Sequence, residues 1–267
     1  MGLKVENLSF SYENISVLND VTFEAKQRGI TGIIGPNGSG KTTLLRCIAN
    51  ILKPNQGVIY IDGKDTRIFK NKELAKVLSV VPQLTSLTTG FTVLETVLLG
   101  RYPHLGVFQR ESKKDYRVVN STLERVGISH LAKRDVGELS GGEKQLVTIA
   151  LALAQDPQIF CLDEPTLHLD INMQYKIMDL CKEISRDKGI VVIVVLHDLA
   201  LAAQYCDDLI ILKDGEIKAI GSPKEVIVEK FILDTYGVEV IVGQDESSGL
   251  KYILPSLDSK AKIMQGN

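Results

Sequence analysis

Residues 35–42 read Gly-Pro-Asn-Gly-Ser-Gly-Lys-Thr and match the pattern G-x-x-x-x-G-K-[ST] of a phosphate-binding loop. The apolar run Ile30–Ile34 before it predicts a buried strand, and a helix is predicted from Lys41 to about Leu52. Glycines let such a loop curl so that successive N–H groups point at phosphate oxygens, and the positive end of the helix faces the same anion. Lys41 is then placed to reach the β- and γ-phosphates, and the Thr42 hydroxyl to hold Mg²⁺. A glycine-rich turn capped by lysine is the alternative, but it requires neither the strand before nor the helix after.

The composition is that of an ordinary globular protein. The 267 residues include 31 Lys and Arg against 33 Asp and Glu, a net charge of −2, and 44% are hydrophobic. This length fits one large α/β domain or a core with a subdomain, and the composition excludes disordered, collagen-like and disulfide-scaffold classes. The near-neutral charge gives no basic face for nucleic acid, so no nucleic-acid partner is expected. The 4 cysteines lack metal-ligand spacing, and neither a signal peptide nor a transmembrane segment is predicted.

Strand-like and helical segments alternate along the chain. Strands are predicted around Leu8–Phe10, Leu18–Ala25, Val58–Ile61, Val77–Val81, Ile159–Leu162, Val191–Leu196 and Leu209–Leu212. Helical periodicity covers about Thr92–Gln155 and then Ile171 to about Asp187, and Asp214-Gly215 predicts a tight hairpin. The last stretch, 239–267, has two short apolar patterns around a polar turn and a polar end that is expected to fray. This order predicts a parallel sheet with crossover helices, interrupted by a helical insert.

Two carboxylates, Asp163 and Glu164, directly follow the strand predicted at 159–162. In a phosphate-loop protein, a carboxylate at the end of a neighbouring strand holds the Mg²⁺ shell, a role that we assign to Asp163. Glu164 can then polarise an attacking water as general base. Without the phosphate loop, the pair would indicate only a solvated strand end. Beside the loop, it predicts nucleotide hydrolysis.

The stretch Leu139-Ser140-Gly141-Gly142-Glu143 opens an amphipathic helix, with Ser140 as a hydroxyl donor at a second anion-binding helix N-terminus. An ordinary N-cap is the alternative when this segment is taken alone. With the phosphate loop and the Asp163-Glu164 strand end in this order, the sequence resembles the nucleotide-binding subunit of ATP-binding cassette (ABC) transporters. The signature of that family is Leu-Ser-Gly-Gly followed by Gln or Glu. The resemblance extends from about Val5 to Gly237.

The resemblance implies the fold and the domain boundaries. It implies an α/β P-loop NTPase core of the RecA-like type, with a mixed sheet, an antiparallel β subdomain and an inserted α-helical subdomain. The ABC ATPase domain is then expected at 2–240, with its core at 2–84 and 156–240 and the helical subdomain at about 85–155. Residues 241–267 form a C-terminal extension, whose role the resemblance leaves open.

The resemblance also implies roles for individual residues. Subunits of this family form an ATP-dependent, head-to-tail homodimer, in which the signature of one closes over ATP held by the phosphate loop of the other. The expected catalytic residues are Lys41, Gln83, Glu164 and His197, and the expected Mg²⁺ ligands are Thr42, Gln83 and Asp163. The expected ATP contacts are Tyr12, Gly35, Pro36, Asn37, Gly38, Ser39, Gly40, Lys41, Thr42, Thr43, Ser140, Gly141, Gly142 and Asp170.

Some of these roles compete with simpler explanations. Tyr12 is expected to stack on adenine, but an aromatic side chain in a first hairpin commonly just packs. His197 ends a predicted strand, where a histidine is often structural, although its place in the motif order favours contact with the γ-phosphate. Leu167 departs from the family, which usually carries a small residue there, and this affects the expected geometry of the interface loop that leads to Asp170.

The segment Thr92–His104 gives the best indication of cargo. It ends in Gly100-Arg101-Tyr102-Pro103-His104, a pattern that recurs in importers of iron-siderophore complexes, cobalamin and haem. In this family, the region between Gln83 and the signature contacts the membrane subunits. From the residues alone, the segment is an amphipathic helix that ends at Gly100, with Pro103 blocking its continuation.

The resemblance therefore implies the ATPase subunit of a metal-chelate importer. Such a subunit lies peripherally on the cytoplasmic face of the membrane, with two integral membrane permease subunits and an extracytoplasmic substrate-binding protein. The alternative is a soluble cassette ATPase that acts on a cluster-assembly, ribosomal or DNA-repair partner. The single cassette, the lack of a long coiled-coil insert and the near-neutral charge disfavour it. A phosphate-loop kinase or GTPase is disfavoured because neither requires the Ser-Gly-Gly helix.

Overall fold

The computed structural model describes residues 2–83, 87–245 and 251–256. The strands of this part of the chain are β1 Gly2–Tyr12, β2 Ile15–Lys26, β3 Ile30–Ile34, β4 Gln56–Ile61, β5 Lys64–Asp65, β6 Leu78–Val81, β7 Ile159–Asp163, β8 Val191–Val195, β9 Asp208–Lys213, β10 Glu216–Gly221, β11 Val240–Gln244 and β12 Lys251–Pro255. The α-helices are α1 Lys41–Ile48, α2 Asn71–Leu74, α3 Val93–Leu98, α4 Lys113–Val126, α5 Gly141–Ala154, α6 Ile171–Lys188, α7 Leu199–Tyr205, α8 Pro223–Val226 and α9 Glu229–Tyr236. Short 3-10 segments lie at Thr66–Ile68, Leu99–His104, Ser129–Leu131 and Val136–Glu138.

A six-stranded sheet forms the centre of the molecule, in the order β10-β9-β3-β8-β7-β6. All neighbouring pairs are parallel except the edge pair β9–β10. Asp214 and Gly215 join that pair with φ values of 51° and 77°, the positive values that the predicted tight hairpin requires. Strands β7 and β8 are buried along their whole length, because helices or a second sheet cover both faces of the central sheet.

A four-stranded antiparallel sheet, β2-β1-β4-β5, covers one face of the central sheet together with α1. Side chains of alternate positions on β7 and β8, among them Cys161 and Ile193, join this core. The intervening positions, such as Phe160 and Val192, face the other core, which contains α3 to α7. The mixed sheet and the antiparallel strands confirm the predicted fold class.

The helical insert between β6 and β7 contains α3, α4 and α5. The predicted apolar faces of α4 and α5 are buried, except that Tyr116 on α4 is exposed. Because helical side chains tilt toward the N-terminus, a side chain in the first turn of α4 extends past the packed face. The insert thus follows the periodicity, with an exception at its first turn.

Two helix ends differ from the sequence prediction. Helix α1 ends at Ile48 rather than near Leu52, because Asn50 adopts a left-handed conformation (φ 55°) and Ile51 N donates back to Arg46 O at 2.9 Å. Helix α3 ends before Gly100, and the chain continues through Pro103 as the 3-10 segment Leu99–His104. A proline is compatible with this segment of 6 residues, which ends directly after it with Leu105 N donating to Tyr102 O at 3.2 Å.

The C-terminal part contains the antiparallel strand pair β11–β12, on the two segments where the sequence has short apolar patterns. In the second of these segments, Tyr252 and Leu254 are exposed. Val242 and Ile253 are opposite each other and pack against the core that contains α7. The predicted polar turn at 246–250 and the polar end from 257 lie outside the described residues. Within the described ranges, no helix is both long and apolar enough to cross a membrane.

Candidate nucleotide-binding site

The phosphate loop connects β3 to α1 at the edge of the central sheet where the parallel strands end. Gly38 and Gly40 have φ values of 79° and 102°, which only glycine adopts without strain. A Cβ on Gly35 would lie 2.0 Å from Leu212 O of β9, so this position also excludes a side chain. The glycines predicted from the motif therefore shape the loop, as its mechanism requires.

The loop contains two polar groups suited to an anion. The Lys41 ammonium donates to Gly35 O and Pro36 O, both at 2.9 Å, and burial lowers its pKa against the opposing effect of Glu164 and Asp163. The Ser39 hydroxyl is buried, and no described residue is a hydrogen-bond partner for it. Because a buried hydroxyl is almost always hydrogen-bonded, this orphaned group fits a phosphate oxygen.

A cavity of about 220 Å³ lies over the loop. Its lining residues are Val17, Asn37, Gly38, Gly40, Lys41, Thr42, Thr43 and Glu164. Thr43 lines it beside Thr42, as expected for a nucleotide contact. Val17, on β2, was not predicted, and no motif in the sequence marks it; only the fold of the antiparallel sheet over the loop brings it there.

Two predicted Mg²⁺ ligands meet at Thr42, which lines this cavity. The Thr42 hydroxyl donates to Asp163 Oδ1 at 3.1 Å. Asp163 is buried at the end of β7, and burial raises the pKa of its carboxyl, an effect that the hydrogen bond from Thr42 opposes. No cluster of three or more His, Cys, Asp or Glu side chains suited to a metal occurs in the described ranges. A hydroxyl beside a desolvated carboxylate nevertheless fits a hard cation that completes its shell with water and phosphate oxygens.

Two other predicted residues converge on the carboxylate of a third. Glu164 accepts from Gln83 Nε2 at 2.6 Å and from His197 Nε2 at 2.5 Å. These residues follow β7, β6 and β8, and because the three parallel strands are neighbours, their carboxyl ends meet at one edge. Glu164 itself has a φ of 51°, so it is held by its contacts in a conformation that glutamate rarely adopts.

The signature segment lies at the start of α5, and it does not line the cavity over the phosphate loop. Ser140 caps α5: its hydroxyl donates to Glu143 Oε2 at 2.8 Å and accepts from Glu143 N at 3.4 Å. The Ser140 hydroxyl and the Ser140 amide both donate to Glu143 Oε2 and lower the pKa of that carboxyl. Gly141 is exposed, and a Cβ there would meet no atom within 4 Å. The helix start is thus preformed and accessible to a ligand held by another molecule.

Asp170 and Tyr12 occupy exposed positions. Asp170 caps α6 by accepting from Met173 N at 2.9 Å, and Met173 Cε lies 3.0 Å from the position of a Cβ on Gly142. Tyr12 lies where the β1–β2 hairpin turns, 41% exposed, with its ring edge-on to Phe10 at 4.8 Å. Tyr12 does not line the cavity of the phosphate loop. Its role toward adenine therefore stays a prediction.

Comparison with known proteins identifies the family. The family model described as "ABC transporter" matches residues 18–167. The chain is 38% identical over 253 residues to the ferric enterobactin transport ATP-binding protein FepC of Escherichia coli (strain K12), which covers 95% of this chain and 93% of that protein. It resembles a solved ABC transporter in an inward-facing conformation that is assigned to the metal-chelate type. The TM-score is 0.85 at 26% identity, and the match covers 97% of this chain and 98% of that chain. It also resembles the dimeric bacterial cassette MJ0796, with a TM-score of 0.74 and 32% identity. This match covers 83% of this chain and 98% of that chain.

The fold, the order of the motifs and these relatives agree. The relatives match almost the whole chain, so the family that the sequence predicted is confirmed. The chain belongs to the ABC transporter family, as an ATP-binding subunit.

Proposed function

We propose that this chain hydrolyses ATP to power a membrane importer of a metal chelate. The observation that carries the enzymatic part is the convergence of Gln83, Glu164 and His197 beside the phosphate loop. Glu164 is oriented by two donors, so its carboxylate is held where it can accept a proton from an attacking water. His197 and Gln83 position that carboxylate, and they are also suited to contact the γ-phosphate and the water.

The phosphate loop provides the binding half of this site. On nucleotide binding, the Lys41 ammonium and the Ser39 hydroxyl would donate to phosphate oxygens, and the loop N–H groups from Asn37 to Thr43 would be further donors. Thr42, Asp163 and Gln83 would hold Mg²⁺, which when bound neutralises charge on the β- and γ-phosphates. The residues of this chain therefore bind the phosphates, orient the attacking water and accept its proton, and they form no covalent bond to the substrate.

We place the rest of the site on a second copy of the chain. Ser140, Gly141 and Gly142 begin a helix whose N–H groups suit a γ-phosphate, yet in one copy they do not line the cavity of the phosphate loop. In a head-to-tail homodimer, each signature would lie over the nucleotide of the other copy, and Asp170 would lie at the interface. Likeness to a dimeric cassette supports this arrangement.

Import of a metal chelate is supported by the relatives. FepC acts in ferric enterobactin transport, and one similar structure is assigned to the metal-chelate type. We propose that the chain binds peripherally to two permease subunits on the cytoplasmic side, in a system with an extracytoplasmic substrate-binding protein. Nothing in the comparisons favours the soluble alternative.

The proposal is tested by purification and uptake. The chain is tagged in its own cells, and we expect a polytopic membrane protein to co-purify with it. Vesicles that contain both, with ATP on the side of this chain and the substrate-binding protein of the system on the other side, should take up radiolabelled ferric chelates, and Glu164→Gln should abolish uptake. Co-purification with a soluble assembly and no membrane protein would refute the transport function, whereas membrane association without chelate uptake would refute only the cargo.

A further inference from the structure

Two basic side chains from the 3-10 segment Leu99–His104 hold the C-terminal end of α5. Arg101 Nη1 donates to Ala154 O at 2.6 Å, and His104 Nε2 donates to Gln155 O at 2.7 Å. The last carbonyls of an α-helix have no partners within the helix, and cationic groups near that end also interact favourably with its dipole. Arg101 and His104 therefore cap the helix that begins at the signature.

The same guanidinium connects α5 to α4. Arg101 Nε donates to Asp115 Oδ1 at 3.1 Å, and the two side chains are only 4% and 7% exposed. Asp115 in turn accepts from the Ser112 hydroxyl and amide at the start of α4. These bonds from Ser112, with the Arg101 guanidinium, lower the pKa of the Asp115 carboxyl to about 2. A buried, ionised pair thus joins the start of α4 to the end of α5.

Gly100 makes this contact possible. A Cβ at this position would lie 2.2 Å from Leu151 O and 3.0 Å from Ala154 Cβ, both on the last turn of α5. Only a glycine lets the segment approach α5 closely enough for the next side chain to reach Ala154 O. Tyr102, between the two capping residues, is instead 72% exposed. Contacts with the end of α5 therefore account for Gly100, Arg101 and His104. The exposed Tyr102 ring instead lies below Lys72 Nζ, which is 5.7 Å from the ring centroid.

The position of this cap matters because α5 is rigid and has the signature at its other end. The helix spans 14 residues without interruption, about 21 Å at 1.5 Å per residue. A small rotation at Ala154 would displace Ser140 and Gly141 at the opposite end. Helix α5 also packs against α3 and α4. Because this packing is enough for the helix to form, the cap affects the orientation of α5 and not whether it folds.

We propose that Arg101 is a positioning residue for the ATP-dependent dimer in which the signature of one copy meets the nucleotide of the other. By holding Ala154 O and Asp115 together, it fixes the axis of α5 and so the place of Ser140–Gly142 over the nucleotide of a second copy. This inference rests on the proposed function, because the signature acts in trans only in the dimer.

The experiment compares two variants that differ only at position 101. Asp115→Asn leaves Arg101 bonded to Ala154 O, and because the buried guanidinium then lacks its carboxylate partner, this variant is compared only at temperatures where circular dichroism shows it folded. Arg101→Met with Asp115→Asn also removes that bond, and it leaves no buried charge unpaired, so it should fold. Arg110→Met, at an exposed arginine between the 3-10 segment and α4, is the control. All are made with Glu164→Gln to keep ATP intact, and ATP-dependent dimerisation is measured by analytical ultracentrifugation.

We expect the dimer dissociation constant with ATP and Mg²⁺ to rise at least tenfold in the double variant and less than threefold in the other two. The ATP affinity of the monomer should stay within twofold in all of them, because it depends on the phosphate loop. Dimerisation of the double variant like that of Asp115→Asn would overturn the inference. A parallel loss of monomer ATP affinity would also overturn it, since it would show general damage. If Glu164→Gln alone does not dimerise with ATP, the proposed function is contradicted at its dimeric site, and the role of Arg101 is contradicted with it.

Discussion

Replacing Glu164 by glutamine is the sharpest test of the candidate site. The carboxylate accepts from Gln83 and from His197. An amide keeps the size of the side chain but has only one oxygen. It can satisfy one of the two donors, its N–H₂ group faces the other, and it cannot take a proton from water.

The expected size of the effect follows from these losses. Removal of a general base typically costs a factor of about 10² to 10⁴ in rate, which is about 3–5 kcal/mol in the activation free energy. ATP binding should be unchanged or tighter, because Lys41 and Ser39 are untouched and a negative charge beside the γ-phosphate is removed. The variant should therefore separate binding from turnover.

The assay combines phosphate release at saturating ATP and Mg²⁺ with titration of a fluorescent ATP analogue. Glu216→Gln is the matched control, since Glu216 is an exposed carboxylate on β10 paired with Lys218 at 2.6 Å. We expect the control to behave like the native chain in both measurements. A kcat of Glu164→Gln within threefold of the native value would refute the assignment of Glu164 as the base, and a large loss of ATP affinity would refute the separation of roles.

Three further perturbations test other parts of the site. Ser39→Ala should leave the free energy of unfolding in urea unchanged within about 0.5 kcal/mol, because no hydrogen bond is lost, but it should weaken ATP binding about tenfold by calorimetry. Equal ATP affinity would mean that the hydroxyl does not contact phosphate. Because burial raises the pKa of the Asp163 carboxyl above 3.8, protons should compete with Mg²⁺ at a higher pH than at a free aspartate. The Mg²⁺ concentration for half-maximal ATP binding should therefore rise as the pH falls toward that raised pKa, and a Mg²⁺ requirement that does not change with pH would contradict this. Tyr12→Ala should weaken ATP binding about tenfold while Tyr12→Phe does not, as stacking on adenine requires; equal binding by both would leave Tyr12 only its contact with Phe10.

Three features of the structure were not predicted in full from the sequence. The helix α1 was expected to extend to about Leu52, but the left-handed Asn50 ends it, and such a conformation is hard to anticipate without its backbone hydrogen bonds. Val17 lines the nucleotide cavity with no motif to mark it. The pattern at 100–104 indicates the metal-chelate type of importer, and the relatives agree. The contacts of its arginine and histidine with the end of α5 could not be predicted, because those partners lie some 50 residues later in the chain.

By itself, the sequence determined those parts of the protein whose geometry is local. The phosphate loop is a continuous stretch in which glycines, a strand and a helix start fix the backbone, so its shape and its affinity for phosphate follow from neighbouring residues. The Ser140 cap on α5 is local for the same reason. Only the tertiary structure decided that Gln83, Glu164 and His197 meet, because this depends on β6, β7 and β8 being neighbours in the sheet. Strand order is set by packing between distant segments, and local sequence patterns do not contain it.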